Sequence, residues 1–143
     1  GGNITFLSNL GVDDLARLYA NCKALIFPQH EDYGITPLEA NSSGRPVIAY
    51  GKGGVLDTMI PYENDSMKST AIFFEHQTKE SLTKAVELFE ALEFDPAFIR
   101  AHAETFDESR FIEKIRDFVI SKYREHKGLN NDLYDDKTIG VAV

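Results

Sequence analysis

The stretch ALIFPQHEDYGITPLEANSSGRPVIAYGKGGVLD, from Ala24 to Asp57, decides the fold. Residues 24–27 form a short apolar run without polar alternation, as in a strand buried on both faces of a parallel sheet. Pro28 stops the run, and a polar loop carries His30, Glu31, Asp32 and Tyr33 to Gly34. A helix is predicted to open at Thr36-Pro37, with Thr36 as N-cap and Pro37 in the first helical position, and to close at Gly44. Residues 47–50 read as a second buried strand, after which Gly51-Lys52-Gly53-Gly54 turns directly into another helix. Polar and glycine-rich groups therefore gather after two consecutive parallel strands. In open α/β sheets, ligands bind at that edge, beyond the carboxyl ends of the strands.

Upstream of this stretch, residues 4–7 read as a short strand. Gly11 and Asp13-Asp14 introduce a helix with Leu15, Leu18, Tyr19 and Cys22 on one face, at the i, i+3, i+4, i+7 spacing. Downstream, residues 55–60 form a short helix ended by Pro61, and 62–69 a polar surface loop. A further strand covers 71–74, and Thr78 caps an amphipathic helix with Leu82, Ala85, Val86, Phe89 and Leu92 on one side. Asp95-Pro96 starts a short helix, and Asp107 a longer one reaching about residue 125 with Phe111, Ile112, Ile115, Phe118, Val119 and Tyr123 expected to face inward. About four strands alternate with helices, which defines an α/β fold with a mainly parallel sheet. A complete doubly wound domain has more strands, so the chain reads as the later part of one.

Composition bounds the function. A chain of 143 residues is long enough to bury about two-thirds of its unfolded surface. Its net charge of −8, with the excess acid mostly after Pro61, argues against a nucleic-acid or anionic-membrane surface. Cys22 is the single cysteine, so no internal disulfide forms and a reducing compartment fits. Its place at the end of an apolar helix face makes it a small buried hydrophobe rather than a reactive thiol. No apolar run approaches bilayer-spanning length and the start lacks a signal-peptide pattern, so the expected location is cytoplasmic.

Three features carry chemistry. The amides of Gly34, Ile35 and Thr36 lie at a helix start beyond a strand, where unpaired N–H groups and the helix dipole bind phosphate. Lys52, Gly53 and Gly54 make a second candidate phosphate loop, although each glycine turn also serves simply to allow a tight strand-to-helix connection. The third feature is the pair of carboxylates, Glu31 in the loop and Glu39 in the first turn of the helix. Glu39 has two readings, ligand contact or a capping box in which it reaches back to the N–H of Thr36. Glu31 is either a site group or part of a solvated loop. The four histidines lack any metal-ligand spacing, and His30 reads as a pocket wall.

Together the run Glu31-Asp-Tyr-Gly-Ile-Thr-Pro-Leu-Glu39-Ala, then Gly44-Arg-Pro-Val-Ile-Ala and Gly53-Gly54, resembles the signature of retaining glycosyltransferases with the two-domain B fold, in the group that includes bacterial polysaccharide mannosyl- and glucosyltransferases. The resemblance covers about residues 3–124. It implies a Rossmann-like, mainly parallel sheet with flanking helices, the partial C-terminal donor-binding domain of such an enzyme, over residues 1–126. Residues 127–143 would be a loose or docking tail. It further implies that Glu39 accepts hydrogen bonds from the ribose hydroxyls of a nucleoside-diphosphate sugar, and that Glu31, the catalytic candidate, faces the donor sugar and orients it. Tyr33, Gly34, Ile35 and Thr36 would hold the sugar and its β-phosphate.

The implied substrate is a GDP- or UDP-sugar, with a leaning towards GDP-mannose; neither a cofactor nor a metal is expected. The resemblance also departs from the family pattern. The Arg and Lys that clamp the pyrophosphate upstream, and the N-terminal domain that binds the acceptor, have no counterpart in these residues. The expected partners are therefore that acceptor-binding domain, in the same or another chain, and with it the inner face of a membrane. Little transfer is expected from this polypeptide alone. An open sheet edge near residues 4–7 would also offer a surface for self-association. The alternative is a non-catalytic nucleotide-sugar-binding or interaction module; a dinucleotide-dependent dehydrogenase fits poorly because the glycine spacing is wrong.

Overall fold

Three parallel strands, β1 (Leu25–Phe27), β2 (Val47–Tyr50) and β3 (Ala71–Phe74), pair in the order β1-β2-β3 in a computed structural model that describes residues 2–128. In register, Leu25 faces Val47 and Phe27 faces Ala49, while Val47 faces Ala71 and Tyr50 faces Phe74. The helices are α1 (Val12–Asn21), α2 (Ile35–Ser42), α3 (Val55–Thr58), α4 (Lys79–Glu90) and α5 (Pro96–Ala103). This unit ends at Glu104; α6 (Glu108–Lys127) belongs to a second unit that starts at Thr105. Taken by itself, α6 is capped at Asp107, whose carboxylate accepts from the Ser109 amide, and closes on Gly128 in the left-handed region. Residues 129–143 of the expected tail lie outside the described residues.

The alternation of strand side chains builds a core on each face of the sheet. Phe27, Val47, Ala49 and Ala71 share one face with Ala40 of α2 and Val55 of α3. Ile48, Ile72 and Phe74 share the other with Ala85, Leu82 and Phe89 of α4. The central strand β2 is buried from Val47 to Ala49 on both faces, as its unbroken apolar run requires. β1 departs from expectation. Ile26 points to the α4 face but lies at the sheet edge beyond the strands that α4 covers, and it is 48% exposed.

Residues 4–7 do not form the expected strand. Ile4, Phe6 and Leu7 are exposed, Phe6 by 94%, so β1 itself is an edge strand of the described sheet. An apolar run of four becomes a strand only where a neighbour takes its backbone hydrogen bonds, and among the described residues none does. Two predicted caps are present downstream. The Thr78 hydroxyl accepts from the Ser81 amide at 3.2 Å, and Asp95 accepts from Ala97 at 2.8 Å with Pro96 in the first turn. Gly44, at φ +73°, closes α2 so tightly on α5 that a Cβ there would lie 2.9 Å from the Pro96 carbonyl oxygen. Asn41 of α2 is fully buried and donates to the carbonyls of Arg45 (2.8 Å) and Thr70 (3.4 Å), stitching the end of the helix to the start of β3.

Candidate functional site

Beyond the carboxyl end of β1 the chain opens a cleft of about 350 Å³, lined by Gln29, Glu31, Tyr33, Gly34, Ile35 and Thr36 among others. Its back wall is the start of α2, which differs from the predicted one. The helix begins at Ile35, two residues early; its N-cap is Gly34, at φ 78° and ψ 71°, and no side chain caps it. Thr36 is consequently a helical residue rather than the cap, and Pro37 sits in the third position, with no N–H to leave unpaired. The left-handed Gly34 swings the chain into the helix and leaves the first amides without a capping side chain. Among the described residues, the N–H groups of Gly34, Ile35 and Thr36 meet no protein acceptor.

The loop after β2 has a different fate. Three of its four amides are taken: Gly51 donates to Phe74 (3.0 Å), Lys52 to Tyr50 (2.7 Å) and Gly54 to Glu31 (2.8 Å). The last bond belongs to a parallel bridge between Glu31 and Gly53 that resumes the β1–β2 pairing past Pro28. Glycine is required there by space. A Cβ on Gly53 would lie 2.2 Å from the Glu31 carbonyl oxygen, and one on Gly54 would lie 2.4 Å from that of Tyr33. Lys52 does not line the cleft; its Nζ sits 5.9 Å from the centre of the Tyr50 ring. From the other side, the Gln77 amide donates to the Pro28 carbonyl at 2.8 Å. The Glu31 loop is thus gripped by the connections that follow both β2 and β3.

Glu31 and Tyr33 both line the cleft and are exposed, but Glu39 does not line it. Glu39 stands one turn along α2, exposed, with its Oε2 accepting a 3.1 Å hydrogen bond from the Tyr19 hydroxyl of α1. The capping-box reading of Glu39 is therefore corrected: the helix starts too early for it, and the carboxylate has a different partner. Burial first, and then the Glu39 carboxylate, push the Tyr19 phenol up to about 12, so it remains a donor at ordinary pH. Tyr19 was legible only as one apolar position of the α1 face, and nothing in the sequence marked its hydroxyl or Gln29. Cys22 is half-buried, its thiol raised by burial, and its Sγ donates to the Tyr19 carbonyl at 3.3 Å. Both observations fit an inert thiol.

A larger hollow, about 440 Å³, opens where β3 meets α4, around Glu75, His76, Glu80 and Lys84. Its charges are of both signs and the α4 start is already capped by Thr78, so it offers no concentrated recognition chemistry. Among the described residues no three or more His, Cys, Asp or Glu side chains gather as a metal ion requires, and no helix is long and apolar enough to cross a membrane.

A parallel sheet flanked by helices, with a helix start and a loop beyond its carboxyl edge, defines a Rossmann-like α/β protein. Comparison with known proteins gives the family. The description of the group 1 glycosyl transferases matches residues 1–106, and the chain belongs to that family. It is 36% identical to the alpha-1,3/1,6-mannosyltransferase ALG2 of Candida glabrata over 49% of this chain and 16% of that protein. It is 31% identical to the D-inositol 3-phosphate glycosyltransferase of Mycolicibacterium gilvum, over 98% of this chain and 29% of that one. Among solved structures, the sucrose-phosphate synthase of Thermosynechococcus elongatus superposes with a TM-score of 0.58 at 25% identity, covering 90% of this chain and 31% of that one. The chain thus spans less than a third of the length of these relatives.

Proposed function

We propose that this chain is the donor-binding half of a retaining glycosyltransferase and takes a nucleoside-diphosphate sugar. The observation that carries the reading is the run of unclaimed amides at Gly34, Ile35 and Thr36 above the cleft that holds Glu31. In this reading the β-phosphate sits on those amides, the sugar lies in the cleft with its hydroxyls on Glu31 and its ring near Tyr33, and the ribose hydroxyls reach Glu39. The C1–O bond to the phosphate breaks as the acceptor oxygen bonds to C1 on the same face, and the acceptor's proton leaves with the diphosphate. Preorganised amides at the departing oxygens stabilise the growing negative charge, each such donor being worth about 10²- to 10³-fold in rate. Glu31 orients the sugar and faces the positive charge that develops on it. No protein-bound metal takes part. Gly53 and Gly54 act by supporting the Glu31 loop.

GDP-mannose is the first donor to test, because one relative is named a mannosyltransferase. Transfer requires an acceptor-binding domain, in this or a partner chain, and the isolated polypeptide turns over little or nothing. The lone cysteine and the absence of a membrane-crossing helix among the described residues suit a cytoplasmic setting, with contact to a membrane left to the acceptor-binding part. The test is a titration of the chain with GDP- and UDP-sugars followed by ligand-observed NMR. One of them binds, and Glu39→Ala weakens it by about 10-fold or more, the usual loss when a charged acceptor is removed. A well-folded protein that binds none of these donors overturns the reading and leaves an interaction module.

A further inference from the structure

We propose that Tyr19 is a positioning residue for nucleotide recognition, its hydroxyl holding the Glu39 carboxylate where a ribose can reach it. The inference rests on the donor-binding reading above and adds to it a residue from a different helix. Glu39 is exposed and has three rotatable side-chain bonds, so an untethered carboxylate would sample many rotamers and lose that freedom on binding. The 3.1 Å bond from Tyr19 meets part of that cost before the ligand arrives. It occupies one acceptor position on Oε2 and leaves the others for a diol.

A single hydrogen bond from α1 thus holds the carboxylate available for ribose. Tyr19 is suited to the task. It is half-buried, and its ring packs against the core that contains Phe27 and Ala40, which fixes the hydroxyl. α1 has no fully buried residue, and the Arg45 guanidinium, donating to the Ala20 carbonyl, ties its end to the turn after α2. The phenol stays protonated and able to donate throughout the ordinary pH range, since burial and Glu39 both raise it.

Tyr19→Phe keeps the ring and deletes only the donor. The experiment measures dissociation constants of the full chain for GDP and UDP and for their 2′,3′-dideoxy counterparts, in wild type, Tyr19→Phe, Glu39→Ala and the double variant. Tyr19→Phe is expected to lose about fivefold in affinity for the ribonucleotide, the size of one such hydrogen bond. It should lose nothing for the dideoxy compound and add nothing to Glu39→Ala. As a check without ligand, the carboxyl-carbon resonance of Glu39 should shift in Tyr19→Phe while the melting temperature stays near that of wild type. Equal affinities of Tyr19→Phe and wild type for the ribonucleotide, or equal losses for both nucleotide types, overturn the proposal. Binding that depends on Glu39 but not on Tyr19 removes this inference alone. Binding of neither GDP nor UDP by the folded wild type removes the donor-binding reading and this proposal with it.

Discussion

The loop that leaves β1 and the loop that leaves β2 have similar ingredients, glycine and polar residues ahead of a helix, yet they end in opposite states. After β1, Gly34 takes a left-handed conformation and three successive amides remain unclaimed. After β2, three of the four loop amides are claimed, and the glycines there make room for the first loop's backbone. In one place glycine serves for its φ, and in the other for its missing Cβ. A glycine-rich turn can hold an anion only if its own protein leaves the amides alone. The second loop is the mould in which the first is held.

The largest effect should come from the mould. Gly54 has an ordinary helical φ, so Gly54→Ala adds no torsional strain, but its Cβ would meet the carbonyl oxygens of Tyr33 and Asp32 at 2.4 and 2.5 Å. Neither neighbour is a flexible side-chain end, so the loop must move, and overpacking of this kind costs about 3 kcal/mol. Gly34→Ala is the counterpart. Its Cβ would make only ordinary contacts, 3.6 Å from Pro37, leaving the strain of φ 78°, about 1 kcal/mol. Urea denaturation of the two variants ranks them, and the contrast breaks if Gly34→Ala is the more destabilised.

How much of this was legible in the sequence depends on how local each cause is. β2, β3 and α4 follow from apolar period, and Thr78, Asp95 and Asp107 from cap chemistry within three residues, so all were foreseen. The helix and loop that build the site were also placed, with Glu31, Tyr33 and Gly34 in one cleft. The failures share a longer-range cause. Residues 4–7 have no strand to pair with among the described residues, Ile26 lies at the edge of the face that α4 covers, and Gly53 and Gly54 are explained by a loop more than twenty residues earlier. Thr36-Pro37 matched a cap pattern that Gly34 displaced by two residues. The partner of Glu39 lies twenty residues upstream, on a helix that the sequence describes only by its apolar stripe.

A second measurement sharpens the contrast from the α2 side. Tyr19 stands above its ordinary value of 10, at about 12, because burial and then Glu39 disfavour the phenolate. A folded-state value raised above the unfolded one gives stability that is fully present below pH 10 and lost as pH rises through about 12. Ultraviolet titration of the six tyrosines should show one ionising late, a component absent from Tyr19→Phe, and wild type should lose stability relative to Tyr19→Phe across that window. If every tyrosine titrates near 10, the start of α2 is not braced from α1, and the two loops differ less than their amides suggest.

The smallest expected effect is the most discriminating. Lys52 is exposed and rests 5.9 Å from the Tyr50 ring centre, outside the cleft, in a loop whose neighbouring amides are claimed. With no amide cradle to concentrate an anion beside it, its charge acts on a bound diphosphate through solvent, where screening sets in over about 8 Å at physiological salt. Lys52→Ala should therefore change the affinity for GDP or UDP by no more than about twofold, within the range of a single exposed charge. The measurement compares each diphosphate with its nucleoside at 0.15 M and at higher salt, a condition chosen from the screening length. A tenfold loss confined to the diphosphate, fading with salt, would make the second loop a phosphate clamp after all. Both glycine turns would then hold the ligand, and the division of labour between cradle and mould would be lost.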